Sequence, residues 1–178
     1  MKGYSLAHET DDSLYAYLAK NPSKAKQFGR AMSSFISQEG NSPKYLVDGY
    51  DWASLGEATV IDLGGAEGHI AIAVAEKFPS LTFIVQELLT VVQGAKDKVP
   101  KALQARVQFM EHDFFTQQSV TADVYLLRWV FHNYPNPHCI KILKNLVPAF
   151  KQGSRIVVMD NIVPEPGTTS QMAEREIR

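Results

Sequence analysis

With 178 residues, 45% of them hydrophobic and 21% charged, the chain has the composition of an ordinary globular protein, long enough for one core. A formal net charge of −1 and the absence of any run of like charge exclude a nucleic-acid or polybasic membrane surface and leave small molecules as the expected partners. The N-terminus, Met1 to Glu9, is too polar for a signal peptide, no apolar run reaches transmembrane length, and the lone Cys139 cannot form an internal disulfide, so a cytoplasmic, reducing setting is expected.

In chain order, Asp11 and Asp12 precede a short helical pattern with Leu14, Tyr17 and Leu18 on one face, ending at Asn21-Pro22. A second helix is expected from there, with Asn21 as N-cap, Pro22 in the first helical position, and Ala25, Phe28, Met32 and Phe35 along one stripe. Taken alone, that stripe is as well explained by packing as by binding. Residues 1–50 are thus set apart as an N-terminal helical segment, closed by a loop near Gly40-Asn41-Ser42-Pro43 and an aromatic stretch from Tyr45 to Trp52. Residues 51–178 form the second region.

That region opens with Thr59-Val60-Ile61-Asp62-Leu63-Gly64-Gly65-Ala66-Glu67-Gly68, an apolar strand that enters an acidic, glycine-rich turn and then a helix from about Gly68 to Phe78. Such a turn lets the backbone approach a ligand at the carboxyl edge of a sheet and aims free helix N–H groups at it, as nucleotide-cofactor loops do. Asp62, just before the first glycine, would repel a pyrophosphate and suit a ligand carrying an ammonium and a sulfonium. The strand Thr82 to Gln86 ends in Glu87, 23 positions after Gly64, where a carboxylate can accept the protons of ribose hydroxyls. The plain alternatives are that Asp62 caps the next helix and that Glu87 is an exposed strand end.

A helix over about Leu89 to Lys98 follows, and then a strand, Arg106 to Met110, that leads into Glu111-His112-Asp113-Phe114-Phe115. The strand Asp123 to Leu127 opens into Arg128-Trp129-Val130-Phe131-His132-Asn133-Tyr134. The next helix is expected to be capped by Asn136, to begin at Pro137, to bury Ile140, Leu143, Val147 and Phe150, to kink at Pro148 and to stop at Gly153. A fifth strand, Arg155 to Asp160, precedes Asn161-Ile162-Val163-Pro164-Glu165-Pro166-Gly167, and Gln171 to Arg178 reads as a charged helical start. This alternation predicts an α/β, doubly wound, parallel sheet with its ligand across the carboxyl ends of the strands.

Asp62 to Gly68, Arg128 to Tyr134 and Ile162 to Gly167 together resemble, in the correct order, the motifs of the class I S-adenosylmethionine-dependent O-methyltransferases of the caffeate O-methyltransferase family, in wording closest to fungal secondary-metabolism members. Phe28-Gly29-Arg30-Ala31-Met32-Ser33-Ser34-Phe35 resembles the family's substrate-helix motif. The resemblance implies a Rossmann-like, mostly parallel sheet, S-adenosyl-L-methionine as cofactor, and methyl transfer to a hydroxyl of a small aromatic or polyketide-type metabolite. By it, Asp62, Gly64 and Gly65 would lie at the methionine part of the cofactor, Glu87 at the ribose, Asp113 and Phe114 at the adenine, and Arg128 and Trp129 would supply a basic group and an aromatic wall. His132 matches the general base, and Asp160 the acid that orients its imidazole, by the logic of a catalytic triad. His8 matches a position near the acceptor, and the apolar side chains Phe28, Met32 and Phe35 suit a flat phenol. His69, His112 and His138 are read as helix-start or surface residues, and no metal site is expected.

Three departures from the family pattern shape the expectation. Ala66 stands where the family has glycine. The family's homodimer is built by a helical domain of which little is present here. The family's sheet also continues beyond a fifth strand, so the chain is read as a domain truncated at both ends with its cofactor half intact. Two other readings stay open: a relative that uses bound S-adenosylmethionine as an electrostatic aid to pericyclic or dehydration chemistry, and a non-catalytic remnant. A nicotinamide oxidoreductase is disfavoured by Asp62 and by the lack of a Tyr-x-x-x-Lys arrangement.

Overall fold

The computed structural model describes residues 6–12, 14–36 and 41–160, and beyond them Ile162, Glu165, Gly167, Thr168, Ser170 and Met172. The expected helical start Gln171 to Arg178 and the greater part of the motif Asn161 to Gly167 therefore lie outside the described residues. The chain divides into two compact units, Met1–Tyr45 and Leu46–Arg178.

The first unit holds α1 (Leu14–Lys20) and α2 (Pro22–Ile36). Leu18 is buried and Leu14 and Tyr17 half-buried, the face expected from their spacing. Asn21 behaves differently from a side-chain N-cap. Its carbonyl does accept the first α2 bond, from the Ala25 N–H at 2.9 Å, but its side-chain Nδ2 donates back to the Tyr17 carbonyl at 2.8 Å. The amide thus satisfies an orphan carbonyl at the end of α1 and leaves the α2 N-terminus to Pro22, which has no N–H to satisfy.

The division falls within α3 (Lys44–Gly49), and the second unit continues through β1 (Ala58–Leu63), α4 (His69–Lys77), β2 (Leu81–Glu87), α5 (Leu89–Ala95), β3 (Val107–Glu111), β4 (Ala122–Arg128), α6 (Asn136–Leu146) and β5 (Phe150–Met159). The strands form one sheet in the order β3-β2-β1-β4-β5, with every neighbouring pair parallel. The order reverses between β1 and β4, so the crevice of this doubly wound sheet opens where Leu63 and Arg128 end their strands.

Both faces of the sheet are covered, which is why β1 and β4 read as nearly continuous apolar runs. On one face Val60, Phe83, Val85, Val124 and Leu126 pack with Ile70, Val74 and Ala75 of α4 and with the fully buried Trp52. Leu46 and Trp52 share that core, and Trp52 Nε1 donates to the Leu46 carbonyl at 2.9 Å, so residues on either side of position 50 serve one core. On the other face Ile61, Leu63, Tyr125 and Leu127 pack with Ile142, Leu146 and Ala149.

The α6 region departs from expectation in phase and length. Asn136 is the first helical residue, with Pro135 in the cap position, and the α-helix ends at Leu146, followed by a short 3₁₀ turn over Val147–Ala149 that contains Pro148. Ile142, Leu146 and Ala149 are buried, whereas Ile140 is 52% and Val147 59% exposed. Phe150 is the first residue of β5 instead of the last of a helix. Gly153, at φ +85°, sits in the segment where the pairing of β4 with β5 slips from Ala122↔Phe150 to Val124↔Arg155. A glycine there makes a bulge that the sequence presents as a helix stop.

No helix among the described residues is long and apolar enough to cross a membrane.

Candidate active site

Because all five strands run the same way, the residues that end them meet at one edge of the sheet. Asp62 and Gly64 close β1, Glu87 closes β2, Asp113 follows β3, Arg128 and Trp129 close β4, and Asp160 follows β5. The sequence-predicted residues of the second unit are thus brought to a common edge.

The glycine loop is built from alternating left-handed residues, Gly64 at φ +69°, Ala66 at +49° and Gly68 at +78°. Ala66 therefore adopts a conformation that costs an L-residue about 1–2 kcal/mol, and its N–H donates to Glu87 Oε1 at 3.2 Å. Gly65 is required for a different reason: a Cβ there would lie 2.5 Å from Asp62 Cγ and Oδ2 and 2.9 Å from Val85 Cγ1. The loop folds its own backbone over the Asp62 carboxylate.

Asp62 is 1% exposed, and its Oδ2 has no hydrogen-bond partner among the described residues. Burial pushes its pKa from 3.8 up to about 7, against the pull of the Arg128 guanidinium and with a smaller push from Glu87. A buried carboxylate oxygen without a donor is costly, and a ligand ammonium would satisfy it. Glu87 is also raised by burial, opposed by the N–H groups of Leu88, at 2.9 Å to Oε2, and Ala66. Burial lowers Arg128, and Asp62 opposes that.

Arg128 stacks on its neighbour, with Cζ 3.5 Å from the Trp129 ring centroid. Trp129 has φ +56°, a strained conformation for a bulky residue, and its N–H is held by the Met159 carbonyl at 2.9 Å. Beside it, the turn Phe131–Asn133 carries His132. Its Nδ1 lies 2.6 Å from Asp160 Oδ1, and its backbone N–H donates to Oδ2 of the same carboxylate at 3.1 Å. Cys139 Sγ supports this turn from α6, 3.6 Å from the Phe131 carbonyl and 3.4 Å from that of Tyr134.

Asp113 organises the turn after β3, its Oδ1 accepting the Phe115 N–H at 2.9 Å and its carbonyl the Thr116 N–H at 2.8 Å. The Phe114 ring packs where it would meet a Cβ on Gly64 at 3.4 Å, and it stands 5.9 Å from the Tyr134 ring. Rings therefore link this turn to the one that carries His132.

Some placements were not anticipated. His112, read as a helix-start or surface residue, is half-buried at the exit of β3; its N–H donates to the Glu87 carbonyl at 3.0 Å and its Nε2 is buried without a hydrogen-bond partner among the described residues. Burial lowers its pKa. Leu88, next to Glu87, is 47% exposed at the rim and offers apolar surface there. His69 begins α4 and His138 lies in α6, both exposed. His8 and Phe28 belong to the first unit, where His8 packs 5.1 Å from the Tyr17 ring. Met32 and Phe35 are carried by α2, and their side chains lie outside the described residues. Among the described residues, no cluster of His, Cys, Asp and Glu could hold a metal ion.

A buried acid and a second acid around a glycine loop at the switch point mark a nucleotide-cofactor domain of the doubly wound class. Comparison with known proteins makes the assignment specific: the family model for the O-methyltransferase domain matches residues 3–176, and the chain belongs to that family. The O-methyltransferase of the grayanic acid biosynthesis cluster of Cladonia grayi is 52% identical over 179 residues, which cover 99% of this chain and 40% of that protein. Among solved structures, the mitomycin 7-O-methyltransferase MmcR matches with a TM-score of 0.81 at 29% identity, over 96% of this chain and 48% of its own. LepI in complex with S-adenosylmethionine and a structure described as a pericyclic reaction enzyme each match at 30% identity with a TM-score of 0.73, over 97% of this chain and 44% and 45% of theirs. The chain thus spans about 40% of the length of its curated relative.

Proposed function

We propose that this chain forms the cofactor half of an O-methyltransferase that moves a methyl group from S-adenosylmethionine to a hydroxyl of a small aromatic or polyketide-type secondary metabolite, with His132 as general base. The observation that carries this reading is the His132–Asp160 pair, 2.6 Å apart, at the same sheet edge as the Asp62 loop.

When bound, the cofactor supplies a methyl group on a positively charged sulfur. Asp62 would take its ammonium, which supplies the donor that Oδ2 lacks, and Glu87 its ribose hydroxyls. Gly64 would let the loop backbone approach it, Gly65 leaves room for the Asp62 carboxylate that would hold it, Asp113 and Phe114 would border the adenine, and Arg128 and Trp129 would form the wall beside it. Phe28, Met32 and Phe35 are proposed for the acceptor on the resemblance of their helix motif, and His8 on its match to a family position near the acceptor.

The chemistry left to the protein is alignment and proton removal. Asp160 accepts from Nδ1–H, so Nε2 is the basic atom and takes the proton of the acceptor hydroxyl. The same carboxylate then stabilises the imidazolium. A base so placed contributes about 10²- to 10⁴-fold.

The test is release of S-adenosylhomocysteine from S-adenosylmethionine with a panel of phenolic acceptors. Turnover that falls with His132→Ala supports the reading, and turnover that His132→Ala leaves unchanged overturns the base assignment. A second reading, pericyclic or dehydration chemistry with the cofactor bound but not consumed, is favoured by the 30% identity to the pericyclic reaction enzyme. Substrate conversion without S-adenosylhomocysteine would select it.

A further inference from the structure

Resting on the cofactor reading above, we propose that Gln86 and Gln118 are a positioning pair, a buried amide clamp that sets the adenine-side turn against the glycine loop. Both side chains are buried, at 1% and 2% exposure. They bond reciprocally, Gln86 Nε2 to Gln118 Oε1 at 3.0 Å and Gln118 Nε2 to Gln86 Oε1 at 2.7 Å. Glutamine is mostly an exposed residue, and burying two primary amides is costly unless each is satisfied. An apolar pair would fill the same space, so what the amides add is direction: paired hydrogen bonds fix the distance and orientation of the two segments that carry them.

Those two segments both belong to the cofactor edge. Gln86 precedes Glu87, and its carbonyl accepts the Gly64 N–H at 2.8 Å, so one residue is tied to the ribose-side acid and to the glycine loop. Gln118 lies two residues past the turn that Asp113 and Thr116 close. The same turn is pinned from α6, where the Asn145 carbonyl accepts the Gln118 N–H at 2.9 Å and Asn145 Nδ2 donates to the Phe114 carbonyl at 3.2 Å. With the Phe114 ring against Gly64, a shift of the turn would be felt by the loop directly.

The test uses Gln86→Met/Gln118→Met, which replaces both amides by unbranched apolar chains of similar length and orphans neither amide, although the part-buried Val120 N–H, which donates to Gln118 Oε1 at 3.0 Å, loses its partner. Three quantities are read: the melting temperature, the Kd for S-adenosylhomocysteine, and amide hydrogen exchange at Phe115 and Thr116. The clamp predicts a double variant that folds with its melting temperature lowered only by the lost Val120 bond, binds at least about tenfold more weakly and exchanges at least about tenfold faster at Phe115 and Thr116. A merely structural role moves only the melting temperature. Parent-like affinity in a folded double variant overturns the proposal while leaving the cofactor reading intact. A parent chain that binds no S-adenosylhomocysteine overturns the cofactor reading, and unchanged exchange at Phe115 and Thr116 in the variant overturns the clamp on its own. If the double variant does not fold, Gln118→Met alone is read in the same way.

Discussion

Ring and main chain of His132 both bond to one carboxylate: Nδ1 lies 2.6 Å from Asp160 Oδ1, and the backbone N–H reaches Oδ2 at 3.1 Å. Two bonds to one planar group fix the imidazole plane as well as its tautomer, and they join the end of β4 to the end of β5. Replacing His132 by Ala is expected to lower methyl transfer by about 10²- to 10⁴-fold with little change in the Kd for S-adenosylhomocysteine. Asp160→Asn can offer an N–H to the ring and so favour the wrong tautomer; kcat is expected to fall with cofactor KM retained. Steady-state kinetics beside calorimetric binding checks both.

Asp62 predicts opposite effects on stability and binding. Folding raises its pKa from 3.8 to about 7, so the folded chain holds this proton more tightly than the unfolded one. Its contribution to stability is therefore full below the ordinary pKa and is lost as pH rises through about 7, by on the order of 4 kcal/mol at most. Asp62→Asn should melt progressively higher than the parent as pH is raised from about 5 to 8, and should lose cofactor affinity. In the parent, affinity for a cationic ligand should rise with pH and level off above about 7. Melting curves and titrations across pH test the pair; a variant that gains nothing at high pH would contradict the buried-charge account.

Gly65→Ala would place a methyl 2.5 Å from the Asp62 carboxylate and 2.9 Å from Val85. The expected loss of stability is about 1–3 kcal/mol, the range for overpacking, with cofactor affinity reduced because the acid must move. Thermal denaturation with and without S-adenosylhomocysteine measures both parts.

Tyr125 tests the packing behind the site. Its hydroxyl accepts the Ala122 N–H at 3.1 Å and lies 3.0 Å from the Val120 carbonyl and 2.8 Å from the Ala149 carbonyl. Tyr125→Phe leaves these groups without that partner at a buried position and should cost about 1–3 kcal/mol in chemical denaturation, with the slope unchanged.

The strands and the glycine loop were legible because each carries its own local signal. The β-branched run Thr59 to Ile61, the acid and glycines after it, and the acid ending β2 all sit within a few residues of the structure they specify. Asp160 was paired with His132 through the family resemblance alone, since nothing local links residues 28 positions apart. The length of α6 is overextended in the sequence because Gly153 looks like a helix stop and Pro148 like a kink within the helix, whereas the α-helix ends at Leu146. The chain has already turned into β5 at Phe150, and the buried stripe runs through Ile142, Leu146 and Ala149, while Ile140 and Val147 are exposed. Asn21 looked like a cap for the helix after it and serves the one before it. The Gln86–Gln118 pair had no local signal at all, because a buried amide is explained only by a partner that the fold supplies 32 residues away.

The central claim is that the edge built by Asp62, Glu87 and the glycine loop holds S-adenosylmethionine. It is tested most directly by calorimetric titration of the purified 178-residue chain with S-adenosylmethionine and S-adenosylhomocysteine, beside Asp62→Ala. One-site binding in the micromolar range by the parent, and its loss in the variant, are expected. A folded, monodisperse parent that binds neither compound, or an Asp62→Ala chain that binds both as well as the parent, would contradict it.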